Sequence, residues 1–156
     1  MNNFEEVYNE YIDIIYRICL MYLKNTHDAE EATQDVFMKY LKYLPNFENK
    51  DHAKRWFIKT TTNTCKNVLK SSWFKKIICF DNVQESIDYK KEDTILQNIL
   101  ELPYKYKISI YLFYYEGYST DEIANMLNMN PSTVRSNLSR ARKKLKLSLE
   151  GNFNEK

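Results

Sequence analysis

Two groups of side chains in this chain of 156 residues have the types and spacing to hold nucleic acid, and a third could hold a protein or a cation. The first group is Ser132, Thr133, Arg135, Ser136, Asn137, Arg140, Lys143 and Lys144. Arginine and asparagine offer forked hydrogen bonds to base edges, and lysine, serine and threonine hold phosphates. The second is Arg55, Lys59, Asn63, Lys66 and Lys70, spaced 4, 4, 3 and 4, which a helix would display as one basic stripe. The third is Asp28, Glu31 and Asp35, whose spacing of 3 and 4 puts three carboxylates on one helical face. Three such acids could bind Mg²⁺, but no further acid, His or Lys is placed to complete a site, and His27 and His52 read as isolated. A protein-docking face is the better reading of these acids, and no metal or cofactor is expected.

The elements that must position these groups are all helical. Ser119 followed by Glu122 is a capping box, so a helix starts at Thr120 and carries Ile123, Ala124 and Leu127 on one face. It stops at Asn128-Met129-Asn130, after which Pro131 takes the first position of a second helix. There Val134, Leu138, Ala141 and Leu145 form the buried stripe, and the first group is left for the outer surface. This is a helix-turn-helix whose second helix fits a major groove. The competing reading is a surface helix with solvated charges, against which stand six basic residues and no acid between residues 131 and 149.

Towards the N-terminus, Phe4, Tyr8, Tyr11, Ile15, Ile18 and Tyr22 mark a long amphipathic helix that ends at Lys24-Asn25. Thr26 would cap a second helix, running through Val36, Phe37, Tyr40 and Leu44 to Pro45. After a polar loop from Asn46 to Asp51, a third helix from about His52 to Ser71 turns Ala53, Phe57, Thr61, Thr64 and Val68 inward and its basic stripe outward. The stripe also reads as an ordinary solvated face. Residues 72–93 lose periodicity and read as a linker; a helical pattern resumes at Thr94, breaks at Pro103 and returns from Lys105 to Glu116. The predicted fold is all-α: module 1–71, linker 72–93, module 94–150 and tail 151–156, without a convincing strand.

Composition agrees. Two glycines exclude a glycine-rich phosphate loop, and three scattered cysteines without CxxC spacing give neither a disulfide framework nor a zinc site. The net charge of +2 is distributed unevenly: residues 1–49 hold four basic and nine acidic residues, and residues 50–79 hold eight and one. Two basic blocks in an acidic chain fit two nucleic-acid contacts joined by an acidic spacer. The acidic N-terminus lacks a signal-peptide core and no apolar run is long enough to span a bilayer, so a reduced, cytoplasmic protein without membrane insertion is expected.

Fragments spread over nearly the whole chain are similar to one family. Asp28-Ala29-Glu30-Glu31 with Gln34-Asp35-Val36-Phe37, then Arg55-Trp56-Phe57 with Thr62-Asn63, then Leu102-Pro103, Glu116-Gly117-Tyr118-Ser119, Glu122-Ile123-Ala124, Thr133-Val134 and Ser139-Arg140-Ala141-Arg142 stand in order. Together they resemble the extracytoplasmic-function class of bacterial RNA polymerase sigma factors, in the sigma-70 family. The resemblance implies that Asp28, Glu31, Gln34, Asp35 and Phe37 grip the clamp helices of the largest subunit of core RNA polymerase. It implies that the third helix engages the promoter minus-10 element and the second helix of the helix-turn-helix reads the minus-35 element. Capturing the non-template strand needs a pocket and stacking surfaces; Asn46, Phe47 and Lys50 of the loop and Trp56 are the candidates, with a packed core ring as the other reading of Trp56. Members are often held by an anti-sigma factor, which is the further partner the resemblance brings. Asn128 stands where glycine is common, Ser132 and Asn137 replace a usual glycine and arginine, and Lys107 replaces a frequent arginine. Two other functions stay open from the residues alone: a stand-alone helix-turn-helix regulator, and a metal-dependent nucleic-acid enzyme resting on the Asp28 face.

Overall fold

The computed structural model describes residues 3–71 and 94–154, and within them the side chains of 3–71 and 97–146. Contacts divide the chain into two compact units, residues 1–87 and 88–156, so the division falls within the predicted linker, 72–93, whose residues lie outside the described ones. The described residues contain helices and no strand, as the pattern requires.

In the first unit α1 (Phe4–Leu23), α2 (Thr26–Tyr43) and α3 (Lys50–Lys70) all pack on one another. Asparagine starts each of them. Asn3, Asn25 and Asn49 each turn a side-chain oxygen onto an amide three residues on, those of Glu6 at 2.9 Å, Asp28 at 2.8 Å and His52 at 2.8 Å. The cap of α2 is therefore Asn25 rather than Thr26, and α3 begins two residues before His52 because Asn49 sits in what reads as loop. Ile15, Ile18, Val36, Phe57 and Ile58 fill the centre. Each contributes roughly 1.5–3 kcal/mol on burial. The buried threonines cost little, since Thr61 and Thr64 donate back to the carbonyls of Phe57 at 2.6 Å and Thr60 at 2.7 Å. Cys19 and Cys65 are buried free thiols hydrogen-bonded to each other between α1 and α3; that bond and burial push Cys65 far above the ordinary thiol range.

Three inward assignments change. Phe4 and Tyr8, 42% and 40% exposed, only flank the ring of Phe37 at the end of the bundle. Leu44 is 66% exposed because the chain has already left the helix there, in a left-handed cap with φ of 40°. Helical period no longer sets its direction.

The second unit contains α4 (Thr94–Leu100), α5 (Tyr104–Ile110), a π-helical turn (Tyr111–Tyr115), α6 (Thr120–Leu127) and α7 (Pro131–Asn154). Ile99, Ile108, Leu112, Ile123, Leu127, Val134, Leu138 and Ala141 form its core. The segment read as a plain helix from Lys105 to Glu116 widens after Ile110 into the π turn, with the Glu116 amide donating to the Tyr111 carbonyl at 3.3 Å. Gly117 follows with φ of 74°, where a β-carbon would be strained. The capping box is present in both directions, at 3.2 Å and 3.3 Å. Asn128 closes α6 at φ 54° and ψ 54°, doing what glycine commonly does. Helix α7 continues to Asn154, through residues read as a tail. Among the described residues no helix is long and apolar enough to cross a membrane.

Candidate nucleic-acid and partner-docking surfaces

The second unit presents α7 with its apolar stripe down on α5 and α6. Ser132, Thr133, Arg135, Ser136, Arg140, Lys143 and Lys144 are exposed, as predicted. Asn137 is not: it is 5% exposed. It follows Val134 by three residues and precedes Ala141 by four, so it lies on the buried stripe and cannot reach a base edge. Among the described residues no acid pairs with Arg135 or Arg140, which leaves both guanidinium forks available. Arg142 and Lys144 face rings instead. The Arg142 guanidinium lies 5.5 Å and 5.6 Å from the ring centres of Phe113 and Tyr114, and its Nε donates to the Tyr114 hydroxyl at 2.8 Å. The Lys144 ammonium lies 5.9 Å from the ring centre of Tyr106. Lys107, which replaces the frequent arginine, is 3% exposed and donates to the last carbonyl of α4, Leu100, at 3.1 Å. It caps a helix C-terminus across Pro103 and is no surface charge.

In the first unit Lys59, Asn63 and Lys70 are exposed and Arg55 and Lys66 half-buried along one side of α3. Arg55 is tethered by its Nε to Asp51 at 2.9 Å, and burial together with Lys70 lowers the pKa of Lys66. The pairing of Arg55 with Asp51 thus makes the start of the stripe less cationic than its spacing suggests. Beside it the loop and helix come together as predicted: Phe47 stands 5.8 Å from Trp56 and 6.3 Å from Tyr40, with His52 edge-on at 5.6 Å. Trp56 packs edge-on to Phe57 at 5.1 Å yet stays half-exposed, so it combines both readings. Asn46 and Lys50 are exposed, Lys50 being 3.8 Å from Glu10. Thr62 is buried, and only Asn63 of that pair reaches the surface.

On α2, Glu31, Gln34 and Asp35 are exposed and Asp28 half-exposed; Asp28, Glu31 and Asp35, with Lys39, form one wall of a groove whose other side is Thr64, Asn67 and Val68 of α3 and its C-cap Ser71. Phe37 does not join them. It is 4% exposed beneath Phe4 and Tyr8, so its place in the family motif reflects packing rather than contact with a partner. His27, which reads as isolated, has a ring nitrogen with the carboxylates of Asp28 and Glu31 within a 4.8 Å cluster. These groups occupy the positive end of a helix, and Asp28 already accepts from the Asn25 amide at 2.6 Å, a poor setting for a cation.

Comparison with known proteins gives this geometry a family. Residues 7–75 match the family described as Sigma-70 region 2, and residues 93–145 match Sigma-70, region 4. The RNA polymerase sigma factor SigV of Bacillus subtilis is 34% identical over 140 residues, covering 86% of this chain and 83% of that protein. The ECF RNA polymerase sigma factor SigW of the same organism is 27% identical over 165 residues, covering 94% and 88%. In fold, the chain is similar to the sigma factor RpoE solved with the anti-sigma factor NepR from Bartonella quintana, with a TM-score of 0.73, 17% identity, and coverage of 94% of this chain and 96% of that one. With both regions matched in order and SigV aligned over most of its length, the chain belongs to the sigma-70 family, as an RNA polymerase sigma factor of the extracytoplasmic-function class.

Proposed function

We propose that this sigma factor divides promoter recognition between its two units, with residues 72–93 as the linker. It directs core RNA polymerase to specific promoters for initiation. Arg135 and Arg140 read base edges of the minus-35 element, while Ser132, Thr133, Ser136 and Lys143 hold its phosphates. The stripe of Lys59, Asn63, Lys66 and Lys70 follows the non-template strand as the minus-10 region opens, with Arg55, Lys50 and Asn46 at its entrance. Trp56 and Phe47 supply the stacking faces. Asp28, Glu31, Gln34 and Asp35 meet basic residues of the polymerase clamp. The protein carries no chemistry of its own and works in the cytoplasm with core polymerase. An anti-sigma inhibitor is a further partner, since RpoE, which is of this fold, was solved with the anti-sigma factor NepR.

The observation that carries this reading is the half-exposed Phe47–Trp56 pair beside the basic side of α3, on the same unit as the acidic wall of α2. A stacking platform is of no use to a protein that reads only duplex DNA. Base stacking on an aromatic ring contributes about 1–3 kcal/mol, so Trp56→Ala is expected to reduce opening of the minus-10 region by about fivefold to a hundredfold. Permanganate reactivity of unpaired thymines in the holoenzyme–promoter complex measures this. Trp56→Phe should keep most of the opening. Unchanged opening in Trp56→Ala would remove the platform from the account.

A further inference from the structure

Seven residues are nearly two helical turns, so Arg142 lies on the same edge of α7 as Arg135, and Lys144, four residues after Arg140, lies on the other edge. Between the two edges runs the buried stripe of Val134, Leu138 and Ala141. Each edge therefore carries a reader arginine in the N-terminal half of the helix and a cation turned onto an aromatic ring farther along. The Arg142 side is built with particular care. The π turn adds a residue to its ladder and is pinned by the Tyr111 hydroxyl donating to Glu116 Oε1 at 2.8 Å. Phe113 and Tyr114 stand edge to face at 5.0 Å and 73°, and this corner receives the guanidinium. A guanidinium suits the corner because it stacks on rings while its N–H groups stay in plane to donate, here to the Tyr114 hydroxyl.

We propose that Arg142 is a positioning residue: clasped by Phe113 and Tyr114 of the π turn, with Lys144 on Tyr106 as the opposite brace, it fixes the roll of α7 that aims Arg135 and Arg140 at the bases. Arg142 therefore acts on DNA through the orientation of its neighbours and does not bind a phosphate. Roll matters here because turning the helix by a single residue's share, about 100°, would move a reader arginine from the groove to the backbone. The inference rests on α7 being the minus-35 reader.

The test is selection of duplexes randomised across the minus-35 element by the holoenzyme, followed by sequencing, with binding of the selected duplex measured at several salt concentrations. Wild type should return a defined element. Arg142→Ala and Tyr114→Leu should flatten the preference at all read positions together, by about threefold to tenfold in discrimination, with the salt slope unchanged. Arg142→Lys keeps a cation near the rings but loses the planar stack and the Nε donor, so it should restore only part of the preference, whereas Arg140→Ala should lose preference locally. A salt slope lowered by about 0.9 with the preference intact would make Arg142 a phosphate contact and overturn the proposal. So would a lower melting temperature with unchanged preference, because a purely structural loss scales specific and nonspecific binding alike. An unaltered Arg142→Ala holoenzyme overturns it as well. If wild type returns no element, the reader assignment fails instead, and the two failures are told apart.

Discussion

Replacing Arg135 and Arg140 together by alanine should remove nearly all minus-35 discrimination while leaving the sigma factor bound to core polymerase. Both side chains are exposed on α7, and among the described residues neither is paired with an acid. A bidentate arginine–base contact is worth about 1–3 kcal/mol of discrimination, so losing two costs about 2–6 kcal/mol, from tens of fold to over about ten thousandfold. Neither residue belongs to the core, so thermal unfolding should hardly move. Competition between the preferred element and a scrambled duplex, read on the holoenzyme, measures the first effect. Gel filtration with core polymerase measures the second. Simultaneous loss of core binding would mean that α7 supports the protein's structure rather than reading DNA.

The second large effect concerns the opposite partner. Asp28→Lys, Glu31→Lys and Asp35→Lys combined should weaken core-polymerase binding by at least about a hundredfold, because like charges brought together at an interface cost several kcal/mol. Most of the change should lie in the association rate and shrink with added salt, since exposed charges are screened beyond about 8–10 Å. Helix α2 itself loses a little: a lysine at position 28 gives up the bond from Asn25 and faces the positive helix end, at about 0.3–1 kcal/mol. Circular dichroism of the variant should therefore show a folded first unit. Association kinetics equal to wild type would remove the acidic wall from the interface.

The parts of this molecule that local chemistry decides were readable from the chain. The Ser119–Glu122 box, left-handed Asn128 and Pro131 at a helix start each act within a few residues, and the structure places the helix-turn-helix where they put it. The parts that depend on neighbours far along the chain were not. Residue type and motif membership point Asn137 and Phe37 outward to partners, although each stands on the buried side of its helix, where period outweighs identity. The buried role of Lys107 has no local signal, because its acceptor, the Leu100 carbonyl, lies on the other side of Pro103. The π turn has no apolar period to announce it, so Phe113 and Tyr114 gave no sign of meeting Arg142. His27 gained its acidic neighbours only when α2 formed. What could have corrected Asn137 was its spacing of 3 and 4 from Val134 and Ala141, a signal present in the chain and overruled by chemistry.

The central claim, that this chain programs a polymerase rather than regulating DNA alone, meets its most direct test in reconstituted transcription. Purified core polymerase is supplied with a template carrying the element that the holoenzyme selects, with and without this protein. The expected result is run-off product only when the protein is added, and little from the Trp56→Ala form. Product that does not depend on the protein, together with its binding as a dimer to a palindrome in the absence of polymerase, would contradict the account and make it a stand-alone regulator.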